Sequence, residues 1–259
     1  MPITIAAVIP TCNRPELLAR SFSSVLGQSS PADEIIIADN GTDPVPDGAV
    51  PDEVTLIRIA PRVGVSAARN AGAATATCEY VAFLDDDDYW DVDYLSEVRL
   101  VIVESGCTAD VVLARKDREL DGVVSRYKEV TSLNGLREQL MVRNPGTGGQ
   151  NIVVRREFFE RVGGFRTCLK TGEDRALIVD AIDQGAQVVL APRAIAVKVF
   201  HSGEQITDGS HSLSGTWRFL CIYWRTMNRR QLWKNVQRLC KSAARSLRGW
   251  ASRPFQSRY

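Results

Sequence analysis

Four consecutive carboxylates, Asp85 to Asp88, are the residues whose type and spacing most directly indicate chemistry. They follow the apolar run Tyr80 to Leu84, which has the length and composition of a buried parallel strand. Ligands bind beyond the carboxyl ends of strands in open α/β sheets. Because adjacent carboxylates repel one another and oxygen ligands suit hard cations, the run predicts a site for Mn²⁺ or Mg²⁺. A solvated acidic loop before the next helix is the simpler alternative.

Polar residues also follow two other predicted strands, at 3–9 and 34–38. The first leads into the candidate nucleotide contacts Pro10, Thr11, Asn13 and Arg14. The second ends at Asp39, in an Asp-Asn-Gly sequence that is also typical of a simple turn. A carboxylate at this edge of the sheet could accept hydrogen bonds from a base or a ribose. These residues therefore predict a nucleotide site beside the acidic run.

The elements between these residues indicate an α/β fold. Helices are predicted at 15–28, 66–77 and 94–103, and further strands at 54–59 and 80–84. This alternation predicts a doubly wound, mostly parallel sheet with right-handed crossovers. Arg69 lies on the second helix, where its cation either faces a base or phosphate or simply meets solvent.

The second part of the sequence is less regular. The predicted elements are strands at 110–114, 152–154, 187–190 and 195–200, a flexible turn at 147–151, a short helix ending at Val162 and a helix at 173–183. Gly163 and Gly164 end the short helix. Glu173 and Asp174 begin the longer helix, where acidic residues commonly complement the helix dipole.

Taken in order, these motifs resemble inverting glycosyltransferase family 2 over about residues 3–203. The resemblance rests on Val8 to Pro15, Asp39, Gly64 to Gly72, Phe83 to Asp88, Gly148 to Asn151, Val162 to Phe165, and Glu173 with Asp174. Each motif is weak singly, but their order and spacing together are specific. The resemblance implies a GT-A type fold and a nucleotide diphosphate sugar as the donor.

The resemblance also implies roles on the donor side of the site. These roles are base contact for Asp39 and Arg69, ribose and near-metal positions for Asp85 and Asp86, and metal binding for Asp87 in the family's Asp-x-Asp motif. His201 would touch the metal or the diphosphate, although a lone histidine is more often structural. Two departures bear on the choice of donor, because Ala38 and Gly41 stand where family members usually have an acidic residue and a serine.

On the acceptor side, the resemblance implies that Asp174 is the general base. It would deprotonate the acceptor hydroxyl opposite the leaving diphosphate, which gives in-line attack and inversion. The metal and Arg69 would neutralise the diphosphate as it leaves. The candidate acceptor contacts are Trp90, Gly149, Gln150, Asn151 and Glu173.

The length of 259 residues fits one large α/β domain with an appendage, or two small domains. We expect a nucleotide-sugar-binding half at 1–105 (the donor half), an acceptor-binding half of the same catalytic domain at 106–211 (the acceptor half), and a basic helical tail at 212–259 (the tail). The six cysteines are scattered and suggest neither a disulfide framework nor a zinc site. With no signal peptide or membrane-spanning run evident, we expect a cytoplasmic protein.

The tail is strongly basic and amphipathic. Eleven of the 32 Lys and Arg residues and none of the 31 Asp and Glu residues lie after Ser210, so the remainder carries a net charge of −10. One predicted face holds Leu232, Val236, Leu239, Cys240, Ala243, Leu247 and Trp250, and the other holds Lys234, Arg238, Lys241, Arg245 and Arg248. Such a helix favours peripheral attachment to the anionic inner face of the cell membrane. The alternatives are packing onto the catalytic domain or onto a second subunit in a homodimer. No motif supports nucleic-acid binding.

The expected activity is metal-dependent, inverting transfer of a sugar from a nucleotide sugar, taken as a UDP-sugar, to a hydroxyl acceptor such as a lipid-linked or surface glycan. A sugar-nucleotide nucleotidyltransferase is one alternative, but it would need a glycine-rich phosphate loop followed by lysine, which residues 10–15 lack. A non-catalytic, membrane-bound scaffold is the other alternative. The intact carboxylates Asp87 and Asp174 argue against it.

Overall fold

The computed structural model of the protein describes residues 2–46, 48–200 and 209–251. The strands are β1 Ile5–Thr11, β2 Glu34–Asp39, β3 Thr55–Arg58, β4 Tyr80–Phe83, β5 Tyr89–Trp90, β6 Val111–Leu120, β7 Val123–Arg126, β8 Ile152–Arg155 and β9 Val188–Phe200. The helices are α1 Pro15–Leu26, α2 Val65–Thr75, α3 Tyr94–Glu104, α4 Leu136–Leu140, α5 Arg156–Val162, α6 Glu173–Asp183, α7 Gly209–Tyr223 and α8 Arg229–Ala251. Single 3₁₀ turns lie at Gly149–Asn151 and Trp224–Thr226.

The strands form one mixed sheet in the order β3-β2-β1-β4-β8-β6-β9-β5, with β7 paired to β6. Strands β1 to β4 pair in parallel, and β8 joins them to β6 through antiparallel pairs. Strands β6 and β9 pair in parallel, so they run in the same direction as β1 to β4. Their carboxyl ends therefore point toward the same edge. The predicted α/β class with a mostly parallel sheet is confirmed.

Helices cover both faces of the sheet because its central strands are apolar on both sides. Along β1, Ala6 and Val8 point into one core and Ile5, Ala7 and Ile9 into the other. Helices α1 and α3 pack on the second face, while α2, α5, α6 and α7 pack on the first. This packing of helices on both faces of the sheet fixes the strand ends that carry the candidate site.

Several element boundaries differ from the sequence predictions. Strand β1 runs through Pro10 to Thr11, because β4 pairs with β1 only as far as Val8 and the missing N–H of Pro10 lies past the end of that pairing. The two predicted strands at 187–190 and 195–200 are one strand, β9, whose register against β6 shifts at Ala191. Strand β6 continues into a hairpin with β7, which the sequence prediction missed.

The hairpin turn had a local sequence signal. Asp121 and Gly122 both have positive φ, at 50° and 77°, between the paired residues Leu120 and Val123. An Asp-Gly pair in a two-residue turn supplies this backbone conformation at low cost.

The described part of the tail lies in two helices, α7 and α8, and α8 packs through polar residues as well as through the partly buried Leu232 and Leu239 of the predicted apolar face. Helix α7 belongs to the core, since Phe219 is fully buried and Tyr223 donates a hydrogen bond of 2.8 Å to Asp180. On α8 the buried residues are the polar Gln231, Asn235 and Ser242, which lie beside the predicted apolar face. Val236 on that face is 41% exposed. Within the described ranges, no helix has the length and apolarity needed to cross a membrane.

The second part of the predicted amphipathic pattern lies outside the described side chains. These residues are Ala243, Arg245, Leu247, Arg248 and Trp250. The predicted division of the chain at residues 105 and 211 stays a prediction.

Candidate active site

The ends of β1 and β4 are tied together by Asp86. This buried carboxylate accepts a hydrogen bond of 2.9 Å from the Thr11 hydroxyl and pairs with Arg14 at 2.8 Å. Arg14 also reaches Asp87 at 3.3 Å. Burial raises the pKa of Asp86 to about 7, against the opposing effect of Arg14. Asp86 therefore joins the two strand ends. It also brings together Thr11 and Arg14, two of the predicted nucleotide contacts.

The other three carboxylates of the run converge. Asp85, Asp87 and Asp88 offer oxygen atoms that lie within 4.8 Å of one another, the one such group found within the described ranges. Asp88, which the sequence prediction left out, is fully buried and accepts a hydrogen bond of 2.9 Å from the Val199 N–H. Its second oxygen has no partner among the described residues. An unpartnered buried carboxylate oxygen in a set of three suits a divalent cation.

Lys198 of β9 flanks this acidic cluster. Although burial alone would lower it, the pKa of Lys198 is raised by Asp88, Asp85 and Asp87, which places its ammonium in their field. His201, predicted to touch the metal or the diphosphate, lies outside the described residues, and its role stays a prediction. Nothing in the sequence indicated Lys198, because its position beside the cluster depends on the contact of Val199 in β9 with Asp88, 111 residues apart in the chain.

Arg69 bridges the two halves of the site. Its guanidinium is 2% exposed and pairs with Asp85 on one side and with Glu173 at 3.1 Å on the other. The bridge passes directly beneath the backbone of Gly149, where an added Cβ would lie 2.2 Å from Arg69 Nη2. Burial raises the pKa of Glu173 to about 7, with Asp174 contributing in the same direction. The structure thus gives Arg69 a linking position between donor and acceptor sides.

Asp174 lies at the start of α6 and is held by neutral donors. Its Oδ2 accepts hydrogen bonds from Asn144 Nδ2 at 2.9 Å and Thr147 Oγ1 at 3.4 Å, and its Oδ1 accepts one from the Arg175 N–H at 2.7 Å. Asn144 and Thr147 were not predicted. A Pro-Gly loop of polar residues gives no local signal for a partner on a distant helix.

A buried lysine lies on the same side of the site. Lys116 donates a hydrogen bond of 3.0 Å to the carbonyl of Thr147. Burial lowers the pKa of Lys116 to about 8, and the nearby Asp174 opposes that effect. This cation was also missed, because Arg115, Lys116 and Asp117 together read as an ordinary charged stretch.

Four of the predicted acceptor contacts are buried and position one another. Trp90 donates an indole hydrogen bond of 2.8 Å to the Gln150 carbonyl and stacks on Tyr94 with 4.4 Å between ring centroids. Asn151 donates to the carbonyls of Ala114 at 2.6 Å and Gly146 at 3.1 Å. Gly149, in the same turn as Gln150 and Asn151, lies against the guanidinium of Arg69.

The predicted base contact Asp39 serves a turn. Its two oxygens accept hydrogen bonds from the N–H groups of Gly41 at 2.8 Å and Val45 at 2.7 Å. Asn13 binds the same turn, accepting from the Asp43 N–H at 2.9 Å. An added Cβ on Gly41 would lie 2.6 Å from Asn13 Oδ1, which explains glycine where the family usually has serine. The role of Asp39 toward a base stays a prediction.

Comparisons with known proteins agree with the sequence resemblance. The family model described as "Glycosyl transferase family 2" matches residues 6–163. An uncharacterised glycosyltransferase of Haemophilus influenzae is 24% identical over 184 residues, which are 70% of this chain and 62% of that protein. The succinoglycan biosynthesis protein ExoW of Rhizobium meliloti is 27% identical over 227 residues, 76% of this chain and 71% of that protein.

A solved structure shares the fold. The crystal structure of S. aureus TarS 1-349 in complex with UDP-GlcNAc is 18% identical, with a TM-score of 0.65 over 85% of this chain and 66% of that one. The chain thus spans less than two thirds of the Haemophilus relative and of the TarS fragment. The family match covers more than half of the sequence and includes the acidic cluster. This chain therefore belongs to glycosyl transferase family 2, a family of glycosyltransferases.

Proposed function

We propose that this protein is a metal-dependent, inverting glycosyltransferase that moves a sugar from a UDP-sugar to a hydroxyl acceptor. The observation that carries the proposal is the Arg69 bridge. It joins Asp85 of the acidic cluster to Glu173, which is next to Asp174 in the chain. The acidic cluster and the Glu173–Asp174 pair are thereby held on two sides of Arg69. A direct displacement requires donor and acceptor to be held close together in this way.

In this reaction the acceptor hydroxyl binds against Asp174. The Asp174 carboxylate takes the hydroxyl proton while the acceptor oxygen attacks the anomeric carbon of the donor. The bond between that carbon and the diphosphate oxygen breaks on the opposite face, so the configuration inverts. Asn144 and Thr147 hold the base in place through their hydrogen bonds to Oδ2.

The donor side must accept the charge of the leaving diphosphate. Asp85, Asp87 and Asp88 would hold Mn²⁺ or Mg²⁺, which supplies positive charge to the diphosphate oxygens. Arg14 and Lys198 add protein cations beside the same cluster. Because Asp88 is buried and turned toward Val199, we include it with Asp87 among the proposed ligands.

The comparisons support the choice of substrates at a coarse level. TarS, which shares the fold, has been solved with UDP-GlcNAc, and this supports a UDP-sugar donor. ExoW takes part in succinoglycan biosynthesis, and this supports a glycan acceptor in a polysaccharide pathway. We therefore keep the division into a donor half at 1–105 and an acceptor half at 106–211, with the Arg69 bridge across their boundary.

A nucleotide-sugar panel tests the proposal. Binding of UDP-, GDP- and dTDP-sugars to the full chain would be measured by calorimetry with and without Mn²⁺, and hydrolysis of each donor would be followed by nucleotide release. We expect Mn²⁺-dependent binding and slow hydrolysis of a UDP-sugar, both lost with excess chelator. Equal binding of every donor without Mn²⁺ would contradict the metal-dependent assignment.

We also propose that the tail holds the domain on an anionic membrane surface. Three tryptophans, Trp217, Trp224 and Trp233, are more than half exposed, and Val236 is 41% exposed. Exposed tryptophans beside arginine and lysine suit the boundary between lipid and water. The tail lacks acidic residues, so attraction to anionic lipid is not opposed within it.

Vesicle flotation separates this attachment from protein packing. Wild type should float with vesicles of anionic phospholipid but not with neutral ones, and binding should weaken as salt is raised. Replacing Trp224 and Trp233 by alanine should reduce flotation and leave donor binding unchanged. Substitution is preferred to truncation because Phe219 and Tyr223 belong to the core. Wild type that ignores anionic vesicles and sediments as a dimer would contradict membrane attachment.

A further inference from the structure

Helix α8 contacts the loop that holds Asp174. Asn235 lies in the middle of α8, is 0% exposed, and donates a hydrogen bond of 2.8 Å to the carbonyl of Met141. One turn further along, the Arg238 guanidinium donates to the carbonyl of Val142. Both carbonyls follow directly on α4, where the last carbonyls of a helix lack partners within it. Residues 141 and 142 are thus anchored to α8.

The segment 141–147, named here the base loop, connects this anchor to Asp174. Two residues after Val142, Asn144 donates 2.9 Å to Asp174 Oδ2 and 2.7 Å to the Thr147 carbonyl. Asn144 Oδ1 in turn accepts from the Gly146 N–H at 2.9 Å and the Thr147 hydroxyl at 3.1 Å. The base loop is therefore a continuous set of hydrogen bonds that begins at α8 and ends at the Asp174 carboxylate.

The other side of the base loop is also fixed. Gly146 has φ of 157°, and an added Cβ there would lie 2.9 Å from the Glu129 nitrogen and the Lys128 oxygen. Backbone packs against backbone at this point, so the base loop cannot move in that direction. At its beginning the base loop meets α8, where Asn235 contributes a buried polar contact from a sequence distance of 94 residues.

We propose that Asn235 is a positioning residue for the general base, acting through the base loop. Removing its amide leaves the Met141 carbonyl buried without that donor, and the loop relaxes toward the space vacated. Asn144 then no longer holds Asp174 at the acceptor hydroxyl. The tail is accordingly a part of the catalytic unit as well as a membrane-attachment element. This inference rests on the proposed role of Asp174.

Hydrogen exchange tests the contact without a substrate. In full-length Asn235→Ala, peptides covering 141–147 should lose protection, while peptides of β1 and β4 should exchange as in wild type. The matched control is Gln231→Ala. Gln231 is buried on the same face and exchanges hydrogen bonds of 2.9 Å with Asn228 at the start of α8, without touching the base loop. Loss of loop protection in the control but not in Asn235→Ala would overturn the proposal.

A double-mutant cycle tests the route to Asp174. The readout is hydrolysis of the UDP-sugar that wild type hydrolyses fastest, normalised to the number of donor sites counted by calorimetry. We expect Asn235→Ala to reduce the turnover number about tenfold without changing the donor Kd. Combined with Asn144→Ala, it should add little, because both changes act through one contact.

The outcomes separate the inference from the proposed function. Losses that multiply in the double variant, or turnover in Asn235→Ala equal to that of Gln231→Ala, would overturn the positioning role. If Asp174→Asn hydrolyses the donor as fast as wild type, Asp174 is not the base and the proposed function fails at this residue. The hydrogen-exchange experiment then still decides whether α8 holds the base loop. Asn235→Leu, which keeps volume in the buried position, guards against failure of the alanine variant to fold.

Discussion

The acidic run of the donor half and Asp174 of the acceptor half are held by different means. In the donor half, adjacent residues at the end of one strand supply the carboxylates, and the cations Arg14 and Arg69 pair with them directly. In the acceptor half, Asp174 is bound by the neutral side chains of Asn144 and Thr147. Neutral donors orient a carboxylate without cancelling its charge. The contrast suits a charge-neutralising site on one side and a proton acceptor on the other.

The largest expected effect comes from Asp174→Asn, which breaks the acceptor half alone. The amide keeps the shape of the side chain but cannot take a proton, so transfer should fall by about 10²-fold or more. Donor affinity should stay within about twofold, because the acidic cluster is untouched. Transfer rate and calorimetric donor affinity would be measured on the same preparation. A transfer rate within a few-fold of wild type would move the base elsewhere, with Glu173 as the first candidate.

The converse change, Asp87→Asn, breaks the donor half alone. Removing one carboxylate from the cluster should weaken Mn²⁺-dependent donor binding by about 10- to 100-fold. Thermal unfolding without metal should change little, because loss of the attraction of Asp87 to Arg14 and Lys198 is offset by relief of its repulsion with Asp86 and Asp88. The measurement is donor titration across a series of Mn²⁺ concentrations. If donor affinity keeps the wild-type dependence on Mn²⁺, Asp87 is not a metal ligand.

Gly149→Ala should affect both halves, because Gly149 contacts Arg69, which pairs with a carboxylate of each half. The added methyl would overlap the guanidinium of Arg69, which is itself fixed by Asp85 and Glu173. Overpacking of this kind should lower the free energy of unfolding by about 1–3 kcal/mol and weaken donor binding and transfer together. Urea denaturation and the two activity assays measure these effects. Gly27→Ala, at the exposed end of α1, is the control and should be nearly neutral.

The smallest effect is a gain in stability on the acceptor side. Burial lowers the pKa of Lys116 to about 8, so the side chain is still protonated at pH 7. Below pH 8, burying this charged ammonium therefore lowers the free energy of unfolding. Lys116→Met should therefore raise the free energy of unfolding by about 1 kcal/mol at pH 7. The gain should shrink between pH 8 and the ordinary lysine pKa of 10.5, as the wild-type residue deprotonates on folding.

Denaturation curves at pH 7 and pH 9.5 measure this difference. The exposed Lys170→Met should show no such dependence on pH and serves as the matched control. A pH-independent difference for Lys116→Met would mean that its bond to Thr147, not its buried charge, sets the stability.

The donor half was largely predictable because its signals are local. Apolar runs of strand length end at polar residues, and the four carboxylates lie together in the chain as they do in space. The sequence could not distinguish their orientations. Asp86 turns toward Thr11 and Arg14, whereas Asp88 turns toward Val199 in β9. That choice depends on a strand pairing more than one hundred residues away, for which the run itself carries no information.

The acceptor half was less predictable because its site is built from distant contacts. Glu173 and Asp174 were assigned only through the family resemblance, since acidic residues at a helix start ordinarily complement the helix dipole, and the residues that hold Asp174 were not predicted. Trp90 stays a predicted acceptor contact, and nothing in the sequence indicated that it is buried and donates to the Gln150 carbonyl. The amphipathic pattern of α8 predicted a helix and missed its polar contact face, because a buried asparagine gives no hydrophobic signal.

The contact between Asn235 and Met141 has a consequence for how the family diverges and for how its members can be recombined. A chimera that receives the tail of another family member would lose the donor that its own base loop requires. The tail and the base loop are therefore expected to vary as a matched pair, and a graft intended to change membrane targeting should carry residues 141–147 together with α8. Exchange of the donor half has matching requirements of its own, because the Arg69–Glu173 ion pair and the Asp88–Val199 hydrogen bond both cross into the acceptor half.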